Sequence, residues 1–182
     1  MAGKWCSIAL AMLLVIAVSP LVALAADSPA AEEKPTVYKL GDKVADFKMQ
    51  GLKGSEISLE KDVLGKKAAN VFIFMTTVCS ACQSEVAAVS QLTRKYGDKM
   101  EIYAVAVDMR GEATVAPYAE GNDFKVTYIL DPKFSIPRLF NLSYTPSVVI
   151  LDKTGKVQYL KGGYSPGDEG VIQEKVLEMV RK

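Results

Sequence analysis

The sequence contains no histidine, and its cysteines and tryptophans are few. It has three cysteines and one tryptophan in 182 residues, and Cys6 and Trp5 both lie close to the N-terminus. Zinc centres usually take four ligands, most of them Cys or His. With no histidine and only two cysteines in the rest of the chain, we expect no metal site, and no other cofactor is indicated.

A surplus of charge of either sign is also missing. Lys and Arg number 22 and Asp and Glu number 21, which gives a formal net charge of +1 at pH 7. Binding to nucleic acid or to an anionic membrane surface usually requires a basic surplus. The sequence therefore predicts neither of them as a partner.

The first 26 residues have the pattern of an export signal. Lys4 is the single charge, the stretch 8–18 is apolar, and Ala23-Leu24-Ala25 matches an A-x-A cleavage site. We predict that residues 1–26 are a signal peptide and that the rest is exported, to the periplasm or a similar compartment. The alternative is an uncleaved membrane anchor, because residues 8–26 are just long enough to span a bilayer.

Two further regions follow the predicted signal. Residues 27–37 are rich in Ala, Pro and Glu and are predicted to be a flexible tether. Residues 38–182 are predicted to form one domain, since a chain of about 145 residues can enclose a hydrophobic core of its own.

The most informative stretch of the domain is residues 71–85, where an apolar run leads into a predicted helix. Residues 71–75 are all apolar, as expected for a strand buried on both faces of a sheet. Cys79 and Cys82 follow, and Cys82 begins an apolar helix face that should end at Gly97. A helix N-terminus favours an anion such as a thiolate, the reactive form of cysteine. We therefore expect a partly exposed, attacking Cys79 and a more buried, resolving Cys82.

Three other interpretations of Cys79-x-x-Cys82 are open on the spacing alone. The pair could be half of a zinc site, a structural disulfide, or two small buried side chains. The lack of histidine argues against zinc, and a disulfide that closes so short a loop would restrict the unfolded chain little. Redox chemistry is the favoured interpretation.

Apolar periodicity predicts a mixed α/β order for the whole domain. Strand, helix and strand around the cysteines form a βαβ unit, for which a parallel strand pair is expected. Ser165, Pro166 and Asp168 resemble a capping box, which predicts that the last helix starts at Ser165. The other predicted elements are a strand pair at 47–49 and 56–59, strands at 102–107 and 126–130, helices at 112–121 and 135–142, and a hairpin of 147–152 with 156–160.

Taken together, these features resemble the thioredoxin-fold redoxins, and more narrowly the exported TlpA/ResA-type thiol–disulfide oxidoreductases of bacteria. The resemblance runs from about Leu40 to the C-terminus and rests on residues 40–47, Cys79-Ser80-Ala81-Cys82, Thr145-Pro146 and residues 151–156. It implies an α/β, thioredoxin-like fold with a central mixed β-sheet flanked by helices. An N-terminal strand pair and an inserted helix and strand, over about 109–131, are implied as well.

The resemblance also implies roles for residues near the cysteines. Pro146 is expected to have a cis peptide bond beside the disulfide, which would leave the backbone of Thr145 free to pair with an extended substrate. Glu85, three residues after Cys82, is expected to relay a proton to or from that thiol. An ordinary solvated helix glutamate is the alternative for Glu85.

Two residues depart from the family pattern. Val78 stands where most relatives have Trp immediately before the first cysteine, so contacts with substrate are expected to differ there. Ile73 replaces the buried acid that familiar thioredoxins have six residues before that cysteine, so proton handling is expected to differ too.

The implied function is disulfide exchange with exported proteins. By resemblance, candidate substrates are apocytochrome c and copper-site assembly proteins, and a membrane protein is the expected electron donor. Ser80 and Ala81 supply no cation that would further stabilise the Cys79 thiolate, which favours a reductant. A peroxiredoxin-like peroxidase is one alternative, since Thr76 completes a T-x-x-C element, although Phe72 stands where its proline is expected. A thioredoxin-fold metal chaperone is another, and the lack of histidine disfavours it.

Overall fold

The computed structural model describes residues 36–181. The predicted signal peptide, residues 1–26, and nearly all of the predicted tether, residues 27–37, lie outside the described residues. Within the described part of the chain, no helix combines the length and the apolar character that crossing a membrane requires.

Seven strands and five α-helices make up the described domain. The strands are β1 Lys48–Gly51, β2 Glu56–Ser58, β3 Ala69–Met75, β4 Met100–Ala106, β5 Thr127–Leu130, β6 Ser147–Asp152 and β7 Val157–Gly162. The helices are α1 Ser80–Ser90, α2 Thr93–Tyr96, α3 Glu112–Gly121, α4 Ser135–Arg138 and α5 Asp168–Val180. A short 3-10 turn, Leu52–Gly54, joins β1 to β2, and a π-helical turn, Leu59–Val63, follows β2.

All seven strands belong to one mixed sheet, in the order β2-β1-β5-β4-β3-β6-β7. β3 lies parallel to β4, as the βαβ pattern predicts, and antiparallel to β6. Every residue of β3 is buried, which confirms the prediction of a strand covered on both faces. The predicted N-terminal strand pair and the inserted α3 and β5 are also present.

Alternate side chains of β3 contribute to two cores. Ile73 and its alternate neighbours pack with Cys82, Val86 and Val176, beneath α1 and α5. Phe72 and Phe74 belong to a second cluster on the other face. A truncation such as Ile73→Ala removes a fully buried side chain and should cost about 2–5 kcal/mol of stability.

The predicted start or end of three helices is wrong, and one of the three is the helix predicted over 135–142, which ends at Arg138. The last helix begins at Asp168, not at Ser165, because Gly167 has φ 103° and interrupts the helical path between them. The Asp168 carboxylate still accepts a hydrogen bond from the Ser165 backbone N–H at 2.7 Å, so the capping contact forms across a turn instead. The helix after Cys82 ends at Ser90, and only the separate short α2 reaches the predicted end at Gly97.

Candidate active site

The two cysteines lie where β3 gives way to α1. Cys79 is the N-cap residue of α1, and its sulfur accepts a hydrogen bond from the Cys82 backbone N–H at 3.1 Å. The two residues form a disulfide with a Cα–Cα distance of 5.2 Å. A backbone N–H at a helix start that already points at Sγ is suited to stabilising the thiolate after reduction.

The two sulfurs differ sharply in accessibility. Cys79 is half-buried, whereas Cys82 is fully buried in the core beneath α1. The neighbouring Val78 is 86% exposed. Cys79 is therefore the cysteine that an incoming disulfide can reach, and the order of attack and resolution stays a prediction.

A set of hydrogen bonds that the sequence analysis missed holds the turn before Cys79. The Thr77 hydroxyl donates to Asp108 at 2.7 Å, and the Thr77 backbone N–H donates to the same carboxylate at 3.1 Å. The Gln83 side-chain amide donates to the Thr77 carbonyl at 2.8 Å. Asp108 could have been suspected, since it follows β4 and the carboxyl ends of parallel strands lie at the same edge of a sheet.

Pro146 lies beside this turn, as the strand register shows. The Thr145–Pro146 peptide bond is cis, which confirms the prediction. Ser147, the next residue, pairs with Phe74 near the carboxyl end of β3, and Pro146 is buried there. Within residues 36–181, neither the N–H nor the carbonyl of Thr145 has a backbone hydrogen-bond partner. This backbone is available for pairing with an added chain.

Exposed apolar side chains lie on the segments around the disulfide. Val78 is 86% exposed and Met109, next to Asp108, is 92% exposed. Tyr144, just before Thr145, is 56% exposed. Tyr144 lies over Gly162, where an added Cβ would come within 2.5 Å of its hydroxyl, so the glycine permits this close packing. Exposed apolar side chains that lie close together are typical of a surface that binds another protein.

Glu85 is not a solvated helix residue, because it is only 1% exposed. Burial, followed by the nearby negative charge of Asp168, raises the pKa of the Glu85 carboxyl to about 8, while the positive charge of Lys161 opposes the rise. Its Oε2 has no hydrogen-bond partner among the described residues. A buried carboxyl with a pKa near neutrality can both give and take a proton. The charges of Lys161 and Asp168 act on Glu85 from positions far along the chain, and no sequence signal beyond the capping pattern at Asp168 pointed to them.

The described residues contain no group of three or more His, Cys, Asp or Glu side chains that could hold a metal ion.

Comparison with known proteins places this geometry in a family. Residues 40–160 match the AhpC/TSA family. The chain belongs to that family. The described fold is also that of solved thioredoxin-like proteins: a solution structure of one from Porphyromonas gingivalis covers 79% of this chain and 95% of its own, with a TM-score of 0.65 at 26% identity. A crystal structure of a DsbE-type protein from Chlorobium tepidum has a TM-score of 0.69 at 23% identity and bears on the fold alone.

Two relatives of this AhpC/TSA-family chain point to its chemistry. The thiol-disulfide oxidoreductase ResA of Bacillus thuringiensis subsp. konkukian is 31% identical over 134 residues, 72% of this chain and 73% of its own. The thioredoxin-like protein YneN of Bacillus subtilis is 30% identical over 125 residues, 68% of this chain and 71% of its own. With the Cys79–Cys82 disulfide in place, the chain is a thiol–disulfide oxidoreductase of thioredoxin fold.

Proposed function

We propose that this AhpC/TSA-family oxidoreductase is exported and reduces disulfide bonds in partner proteins outside the cytoplasm. The observation that carries the proposal is the unequal burial of two sulfurs that share one bond, with Cys79 half-buried at a helix start and Cys82 fully buried. The export pattern of residues 1–26 supports the location.

The exchange proceeds in two attacks. The Cys79 thiolate attacks one sulfur of the partner disulfide, the partner S–S bond breaks, and the released partner sulfur leaves as a thiolate that takes a proton from solvent. The Cys82 thiol then loses its proton and attacks the Cys79 sulfur of the mixed disulfide. The second partner sulfur leaves, and Cys79 and Cys82 are joined.

Glu85 is the proposed proton carrier for Cys82. In the oxidised protein its carboxyl, with a pKa raised by burial to about 8, holds a proton at neutral pH. When a reductant attacks the Cys79 sulfur, the departing Cys82 sulfur receives that proton. In the forward reaction the carboxylate takes it back from Cys82. One buried group thus serves both halves of the cycle.

The partner binds as an extended segment beside the disulfide. The unpaired backbone of Thr145 offers hydrogen bonds to such a segment, while Pro146 and Val78 flank it. Apocytochrome c and copper-site assembly proteins are candidate partners by resemblance. A membrane protein that supplies reducing equivalents is the candidate electron donor, because an exported reductant is otherwise oxidised by its surroundings.

The test is to capture the mixed disulfide. Cys82→Ser should accumulate disulfide-linked partners in the exported fraction, because attack proceeds and resolution does not, and mass spectrometry then identifies them. Cys79→Ser is the matched control and should capture none. If Cys82→Ser turned over a protein disulfide at the rate of the unmodified protein, the two-cysteine mechanism would be wrong.

The direction of the reaction has a separate test. Equilibration with dithiothreitol or glutathione buffers should give a reduction potential nearer to about −270 mV, the thioredoxin value, than to about −120 mV, the value of a strong oxidant. A potential above about −180 mV would contradict the reductant and favour an oxidase or isomerase.

A further inference from the structure

A row of three side chains crosses the sheet beneath α1. Ile73 of β3 pairs with Val148 of β6, and Val148 pairs with Lys161 of β7. Directly opposed residues in adjacent antiparallel strands point to the same face. Ile73 and Val148 belong to the core beneath α1 and α5, so Lys161 continues this row at the edge of the sheet. The first charged group in the row is therefore Lys161.

Lys161 is joined to the helix that covers this edge. Its ammonium group forms an ion pair with Asp168, the first residue of α5. The Lys161 and Asp168 side chains are 34% and 12% exposed, respectively, so the carboxylate is largely shielded from water and the ammonium group only in part. The Ser165 backbone N–H donates to the same Asp168 oxygen at 2.7 Å, which holds the carboxylate from a second side.

Glu85 lies on α1, the helix that packs against α5. Val86, its neighbour on that helix, packs in one cluster with Ile172 and Val176 of α5. The Glu85 carboxyl is buried beside this contact, and its Oε2 has no partner among the described residues. The charges of Asp168 and Lys161 act on Glu85 with opposite signs: Asp168 raises the pKa of its carboxyl and Lys161 lowers it.

Two phenols also interact with Glu85, and the charged side chains of Glu169 and Lys175 on α5 lie near those phenols. The phenols are those of Tyr159 on β7 and Tyr164 in the β7–α5 loop, and burial raises the pKa of each above its ordinary value. On α1 itself the nearest ionisable group is Cys82, one turn earlier. Asp168 and Lys161 are the charged groups that act directly on the Glu85 carboxyl.

We propose that Lys161 and Asp168 are positioning residues that together decide in which protonation state Glu85 meets Cys82. The proposal rests on the proton-carrier role of Glu85 given above. While the pair is intact, burial and the negative charge of Asp168 favour the protonated Glu85 carboxyl, and the positive charge of Lys161 opposes them. Removing one member leaves the other unbalanced beside a buried, unpartnered oxygen. The two removals must then act in opposite directions.

The experiment measures Glu85 directly in the oxidised protein. NMR follows the chemical shift of the Glu85 side-chain carboxyl carbon as pH is varied, in Lys161→Met, in Asp168→Asn and in the unmodified protein. The pH at the middle of this titration is the Glu85 midpoint. Lys161→Met should raise the midpoint and Asp168→Asn should lower it, each by about one pH unit, since a close charge commonly shifts a carboxyl by that amount. Lys161→Arg keeps the positive charge, so its midpoint should stay close to that of the unmodified protein.

A matched ion pair at the opposite end of the sheet provides the control. Lys48 and Glu56 join β1 to β2 at 2.8 Å, and both side chains are mostly exposed. Lys48→Met and Glu56→Gln should leave the Glu85 midpoint unchanged. A loss of packing alone would shift Lys161→Met and Asp168→Asn the same way. Shifts of the same sign, or no shift in either variant, would overturn the proposal.

Failure of this inference is distinguishable from failure of the proposed function. The pH dependence of disulfide exchange is measured for Glu85→Gln alongside the two charge variants. If Glu85→Gln leaves the profile unchanged, the proton-carrier role is wrong and the assignment to Lys161 and Asp168 falls with it. If Glu85→Gln alters the profile while the two charge variants move the Glu85 midpoint in neither direction, only the ion-pair assignment is wrong.

Discussion

Cys79 and Cys82 share one bond but lie in opposite surroundings. Around Cys79 are exposed apolar side chains and open backbone, at Val78, Met109 and Thr145. Around Cys82 are core side chains and the buried carboxyl of Glu85. The exposed half of the site is suited to meeting a protein, and the buried half to moving a proton without interference from water. In the proposed mechanism, one short turn separates recognition of the partner from acid–base chemistry.

The largest expected effect falls on the buried half. In the folded, oxidised protein the pKa of the Glu85 carboxyl is raised to about 8, against an ordinary pKa of 4.5 in the unfolded chain. Between these values only the folded state binds the proton, so the free energy of unfolding should fall by about 1.4 kcal/mol for each pH unit as pH rises. Glu85→Gln should abolish this slope, as measured by urea unfolding across that range.

The control for this prediction is Glu120→Gln, which changes an exposed glutamate on α3. That variant should keep the slope of the unmodified protein. If Glu85→Gln kept it as well, the carboxyl would not be held protonated by burial, and the buried half would lose its distinguishing group.

The next effect concerns the contrast between the two sulfurs themselves. In the reduced protein Cys79 should react with iodoacetamide at least about 100-fold faster than Cys82, a difference of about 2.7 kcal/mol in activation free energy. The reason is that Cys79 is accessible at a helix start, whereas Cys82 is fully buried. Pulse labelling with mass mapping measures both rates. In denaturant the two cysteines should react at similar rates. Equal rates in the folded protein would contradict the assignment of Cys79 as the attacking residue and Cys82 as the resolving residue.

A smaller effect is expected at the bonds that hold the turn between the halves. Thr77→Val removes the hydroxyl that donates to Asp108 at 2.7 Å and leaves the 8% exposed site otherwise similar in shape. Stability should fall by about 1–2 kcal/mol, and exchange should slow because Cys79 is less well positioned. Thr77→Ser keeps the donor and should lose less than half as much. Equal losses in both variants would show that packing, not the hydrogen bond, holds the turn.

The smallest effect on stability belongs to the exposed half. Val78→Ser should change the free energy of unfolding by no more than about 0.5 kcal/mol, since the side chain is 86% exposed. It should lower kcat/KM for a protein disulfide and leave the rate with a small disulfide nearly unchanged. Leu40→Ser is the control: Leu40 is 66% exposed, and its neighbour Gly41 bonds to Val157 at the far end of β7. Similar kinetics in both variants would remove Val78 from the recognition surface.

Much of the fold could be predicted, because its signals are local. The buried strand at 71–75, the helix 112–121 and the hairpin around residue 154 follow from apolar periodicity and turn residues close together in the chain. The errors are local too, and have local causes. At the last helix, Gly167 adopts a left-handed conformation that a capping pattern does not reveal. The π-helical turn Leu59–Val63 has no apolar period that would predict it.

The chemistry of the site divides in the same way. The spacing of Cys79 and Cys82 after a buried strand was enough to indicate thiol–disulfide exchange, since a helix start and its thiolate are properties of adjacent residues. The raised pKa of Glu85 could not be predicted from the sequence, because the pKa of a helix glutamate rises only when distant segments bury it. Burial by α5 and the nearby charges of Asp168 and Lys161 come from residues far along the chain.

The hydrogen bond from Thr77 to Asp108 likewise joins residues that are 31 positions apart in the chain. It forms only because β3 and β4 lie side by side. Residue types and short spacings specify which reactive groups the chain carries. Which of those groups meet, and how much water reaches them, depends on the pairing of strands and the packing of helices. Proton affinity responds to distance and desolvation, which no short stretch of sequence contains.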